Sequence, residues 1–152
     1  MRVLFALAVF PALTGCVVCG VDEAGSASIG ELRTVDQALR EYHALCGAYP
    51  GSLETLREPK DAAVASQTCS RFGNLPASVV DHAAAGTEAF HGRKHGLVYV
   101  PEAGSGIGFQ GYRLEAPWLG RGSPERSFWT SDAGVITMAL GRPATEHDQP
   151  LR

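Results

Sequence analysis

Few side chains in this 152-residue sequence stand where their types and spacing would do chemistry. Histidine forms the densest group: His91 and His95 lie four apart, with His82 nearby, and on a helix that spacing would turn two imidazoles to one face for a metal ion. Gly92 and Gly96 break the pattern, because glycine after each histidine disfavours a regular helix, and zinc needs further ligands in a closed shell. These three are read as solvated loop histidines. His43, near Asp36 and Glu41, is read as a helix-surface histidine. Ser52, Ser66, Ser123, Ser127 and Ser131 include no Gly-x-Ser-x-Gly elbow and no context that implies an activating base. Gly104-Ser-Gly-Ile-Gly108 looks like a phosphate loop but lacks the Gly-Lys-Ser/Thr ending, and is read as a flexible hairpin loop. Trp118, Trp129 and Phe128 make an aromatic group that would bind a glycan or peptide where its faces are exposed; at least Phe128 or Trp129 is expected in the core. No catalytic residue, metal ligand or cofactor is assigned.

The N-terminus has a different kind of pattern. Arg2 gives a positive start, Val3 to Leu13 is almost wholly apolar, and the small residues Thr14 and Gly15 precede Cys16. Residues 1–15 read as a signal peptide, since the apolar run is interrupted by Pro11 and is about half the roughly 20 residues that a spanning helix needs. Leu13-Thr14-Gly15-Cys16 resembles the bacterial lipobox. The resemblance implies that the Cys16 thiol carries a diacylglyceryl group and becomes the first residue of an exported lipoprotein; the competing reading is an ordinary secretory signal cut nearby. Val17, rather than Asp, follows the cysteine, which favours the outer membrane over the inner. Residues 16–27 then form the lipidated cysteine and a tether that reaches at most about 36 Å.

Cysteine accounting follows from that reading. Four cysteines in an exported chain would make two disulfides, but a lipidated Cys16 leaves Cys19, Cys46 and Cys69, an odd number. Cys46 with Cys69 is the favoured pair over a thiol nucleophile, and its loop of about 24 residues would contribute roughly 3 kcal/mol. Cys19 is left free, acylated or intermolecular, and a Cys16 to Cys19 bond is the competing arrangement.

These residues need a scaffold. The composition, 45% hydrophobic and 19% charged, fits one globular domain, and 18 glycines with nine prolines argue for turns and short strands rather than a bundle. A net charge of -3 with scattered Lys and Arg excludes nucleic acid as an expected partner. Ser28 with Glu31 three residues on forms a capping box, and Ile29, Leu32, Val35, Leu39, Tyr42 and Cys46 then recur at helical spacing up to Gly47. A short helix is expected at Leu53, Leu56 and Arg57 after Ser52, a weak one at 61–67, and another over Pro76 to Ala85. Later the period changes: 97–100, 111–116, 127–130 and 135–138 are short β-branched or aromatic runs bounded by Gly or Pro. An α+β domain over 28–140 is expected, one long N-terminal amphipathic helix packed on an antiparallel meander of about four strands, with 141–152 a polar tail.

The segment Glu31 to His43, followed by Gly47-Ala-Tyr-Pro50 and Leu53 to Leu56, resembles the soluble part of type II secretion pseudopilins and type IV pilin-like proteins. Gly111-Tyr-Arg-Leu, Pro117 with Ser123, Arg126-Ser-Phe and the Thr130 to Ile136 stretch are similar to their sheet, with one residue inserted between Thr130 and Asp132. The resemblance implies a pilin-like fold and a scaffold role with a protein partner in the cell envelope. It departs where such proteins polymerise through a continuous apolar N-terminal helix, because Pro11, Cys16 and the polar tether interrupt that route. Some pseudopilins hold calcium in this sheet region. Here only Asp132 and Glu125 offer carboxylates locally, short of the six to eight oxygens calcium prefers, and Asp132 is read as the cap of its turn.

Overall fold

Asp22 opens the first helix, α1 (Glu23–Cys46), by accepting the Gly25 amide on its side chain at 2.9 Å. The computed structural model describes residues 22–59, 69, 72–120 and 126–151; the expected signal segment, Cys16, Cys19 and the weak helix expected at 61–67 lie outside them. The helix therefore starts five residues before Ser28, and residues 23–27 of the expected tether belong to it. The capping box does not form. Ser28 Oγ instead donates to the Ala24 carbonyl, while Asp22 and Glu23 place negative charge at the positive end of the helix dipole. At 24 residues α1 is about 36 Å long. It ends where expected: Gly47, at φ 73°, takes the left-handed cap and its amide reaches the His43 carbonyl.

The chain then turns through Tyr49 and Pro50, a 3₁₀ turn (Leu53–Leu56), and α2 (Ala77–Ala85). Five strands follow: β1 (Val98–Ala103), β2 (Phe109–Ala116), β3 (Arg126–Ser131), β4 (Thr137–Leu140) and β5 (Gln149–Pro150). They form one antiparallel sheet in sequential order, so the architecture is α+β with a five-stranded meander. The fifth strand is a correction to the polar tail. Gln149 and Pro150 pair with Met138 and Thr137, the Leu151 amide bonds the Ile136 carbonyl, and Leu151 packs against the core. Both edge strands contain a proline, Pro101 and Pro150, which removes an amide donor from each rim.

Helix and sheet meet through residues the 3.6 and 2.0 periods select. Leu32, Val35 and Leu39 of α1 are fully buried against Tyr112, Leu114 and Phe128, each aliphatic side chain contributing about 1.5–3 kcal/mol. Cys46 at the end of α1 is bonded to Cys69, with the Cα atoms 5.5 Å apart. Arg40 adds a polar tie: it pairs with Asp36 at 2.9 Å and donates to the Asp132 carbonyl at 2.7 Å.

Candidate functional site

Two of the sequence's histidines are buried together rather than solvated. His82, on α2, is 1% exposed and His95, before β1, is 2% exposed. Glu31 occupies the buried stripe of α1 between Ser28 and Val35, and its Oε2 lies 2.9 Å from His82 Nδ1. His82 Nε2 lies 3.0 Å from the His95 carbonyl, and His95 Nε2 lies 2.9 Å from the Arg126 carbonyl. Carbonyl oxygens only accept, so each Nε2 carries a hydrogen. The other His82 nitrogen, Nδ1, is left to face Glu31. Phe90 stacks on His82 at 5.1 Å, and Arg93 stands 3.7 Å from Glu31 Oε1. This polar chain fastens α1 to α2 and to the first and third strands.

His95 is held by its surroundings. Gly96 lets the loop lie against the end of α2, since a Cβ there would collide with the Gly86 carbonyl, and His95 bridges Trp118 as a continuation of the β1–β2 ladder. Its ring touches Trp118 at 5.0 Å and Phe128 at 5.4 Å. Burial pushes its imidazole below the usual 6.5, opposed by the hydrogen bond to Arg126. His91 points elsewhere: it is exposed, at φ 44°, edge-on to Phe90. No group of three or more metal-binding side chains occurs among the described residues. With both His82 nitrogens engaged and no nucleophile bonded to either, this cluster holds the fold. His43 stacks on Tyr49 at 4.4 Å.

The two tryptophans are not brought together. Trp118 continues the alternation of Tyr112, Leu114 and Ala116 on the helix side, with Lys94 Nζ 5.9 Å from its ring centre. Trp129 pairs across the sheet with Glu115, which places it on the other face. Trp118 and Trp129 are both half-buried and do not share one surface. Phe128, pairing with Ala116, takes the core position.

That outer face carries a groove of about 510 Å³. Glu102, Arg113, Glu115, Trp129, Asp132 and Glu146 line it, and the 143–145 segment forms one wall, fixed by the Thr137 hydroxyl donating to the Thr145 carbonyl at 2.6 Å. Arg113 is engaged with Glu115 at 3.3 Å. Ser131 rather than Asp132 caps the β3–β4 turn, its hydroxyl accepting the Ala133 amide at 3.2 Å, and the Asp132 carboxylate is left facing outward into the groove. The loop 104–108 is a hairpin tip, with Ile107 97% exposed.

Sequence reasoning missed both the Glu31–His82 tie and the groove. Glu31 had a signal, its place three residues after Ser28 and four before Val35 on the apolar stripe. Comparison of the chain with protein-family models, with curated proteins and with solved structures finds no match.

Proposed function

We propose that this chain is a lipid-anchored cell-envelope protein whose domain is pilin-like and works as an interaction module. The anchor is the Cys16 thiol, on the strength of Leu13-Thr14-Gly15-Cys16 after an apolar run. No helix among the described residues is long and apolar enough to cross a membrane. Supporting the pilin-like reading are the long helix on an antiparallel meander and the Gly47-Ala-Tyr-Pro50 turn. That turn joins helix end to sheet: the Tyr49 amide bonds the Phe109 carbonyl at 2.8 Å, and Tyr99 donates to the Pro50 carbonyl at 2.6 Å. Asp22 ends α1 with extended backbone, so α1 is not continuous with the apolar run, and filament assembly through one unbroken helix is not part of this reading.

The observation that carries the interaction role is the division of the sheet. One face is filled by α1, while the other keeps a groove with a half-buried tryptophan. The domain is expected to contact an envelope or secretion component there. Intact mass and detergent partitioning of the native protein test the anchor: a diacylglyceryl increment and membrane partitioning are expected, both lost in Cys16→Ser. An unmodified, water-soluble wild type would return Cys16 to the disulfide accounting and remove the anchor.

A further inference from the structure

Gly111 opens a notch in the middle of β2. It pairs with Glu102 across the β1–β2 ladder and precedes Arg113 and Glu115 on the outer face. A Cβ placed there would stand 3.7 Å from Glu102 Oε2 and 3.8 Å from Asp132 Oδ2. Two carboxylate oxygens from different elements therefore converge within 4 Å of one point, over a strand position with no side chain. Glycine inside a strand weakens it, and commonly marks close approach by another group. Neither carboxylate is paired among the described residues.

We infer that this notch, continuing past Trp129, receives a basic polypeptide segment, with a guanidinium or ammonium group seated between Glu102 and Asp132. The inference rests on the interaction-module reading above and names its partner class. Charge complementarity selects the occupant. The groove presents Glu102, Glu115, Asp132 and Glu146 against one guanidinium, Arg113, already engaged with Glu115. A guanidinium offers five donors in a planar fork that suits two carboxylates, and Trp129 supplies an aromatic face for a second cation or its aliphatic stem. Volume argues the same way. About 510 Å³ far exceeds one ammonium group and suits several residues of extended chain, with Ser131 and the 143–145 wall as polar neighbours. A calcium ion, which takes six to eight oxygens, would have to draw most of them from water here.

The test uses the full chain in detergent and a labelled peptide of arginines among glycines and serines, followed by fluorescence anisotropy at several salt concentrations. A matched peptide with glutamates in place of the arginines, and a neutral oligosaccharide, serve as controls. Saturable binding of the basic peptide that weakens with salt is expected, reduced about tenfold in Glu102→Gln with Asp132→Asn. Gly111→Ala fills the notch at ordinary van der Waals distance from both oxygens, so it is expected to weaken binding several-fold while leaving the melting temperature near that of the wild type. Absent saturable binding, binding unchanged in the double variant, or preference for the neutral oligosaccharide overturns the inference. Self-association abolished by the same substitutions overturns it too, making the occupant a second copy of the chain. Lipidation of the wild type is read in parallel: an unmodified wild type that still binds the peptide counts against the anchor alone, and a lipidated wild type that does not bind it counts against this site alone.

Discussion

On one side of the sheet Tyr112, Leu114 and Phe128 are sealed beneath α1; on the other Arg113, Glu115 and Trp129, interleaved with them in the same two strands, border an open groove. Neighbouring residues thus serve opposite ends because strand side chains alternate at every step. The helix side even absorbs polar groups, Glu31, His82 and His95, by pairing them through buried hydrogen bonds. The outer side leaves Glu102 and Asp132 to the solvent. The pleat separates a sealed face from an open one, and substitutions one residue apart should expose that separation.

The largest effect is expected from Phe128→Ala, which removes a fully buried ring and should cost about 3–5 kcal/mol in urea unfolding. Next comes Glu31→Ala, which strands the buried His82 and should cost about 1–3 kcal/mol, with Glu31→Gln recovering part of it because an amide can still reach Nδ1. Equal losses in the two Glu31 variants would mean that charge, not the hydrogen bond, fastens the helix side.

A pH series probes the same side more gently. His95 is held below its ordinary 6.5 by burial, so the unfolded chain binds the extra proton first on acidification. Its contribution is complete above about pH 6.5 and is lost as pH falls below that value towards the depressed folded value. Melting temperature should therefore decline in that acidic window, and less so in His95→Gln. An identical decline in the variant would place the sensitivity elsewhere. The smallest effect is expected from Trp129→Ala, about 1 kcal/mol or less, since the ring lines the groove rather than the core. A loss matching that of Phe128→Ala would collapse the distinction between the faces.

Much of the scaffold is legible in the chain. Leu32, Val35 and Leu39 declare the buried face of α1 because three- and four-residue spacing survives any tertiary context, and the β2 and β3 runs are rich in residues that prefer strands. The start of α1 is not, since Asp22 and Ser28 are both competent caps and only packing chooses. The fourth strand begins at Thr137, two residues later than its β-branched run indicates, because Val135 and Ile136 lead in from the turn. The β5 strand has no strand signature, and its pairing follows Leu151 into the core. His82 resembled a loop histidine because its partner is 51 residues away on another helix. Trp118 and Trp129 looked like one patch because proximity in sequence conceals register; the Glu115 to Trp129 pairing assigns them to opposite faces. The Gly111 notch is composed of three separate segments, which no local pattern links.

The sequential strand order has a temporal consequence. Each strand pairs with the one made just before it, so the sheet can zip together by successive hairpins without a long search for a distant partner. The bond from Cys46 to Cys69 lies wholly upstream of the sheet and spans 23 residues, so oxidation and hairpin growth need not wait for one another. Each half can close as soon as its own residues are available, and the chain gains from that independence. It spends less time with its apolar strands uncovered, when aggregation and proteolysis compete with folding.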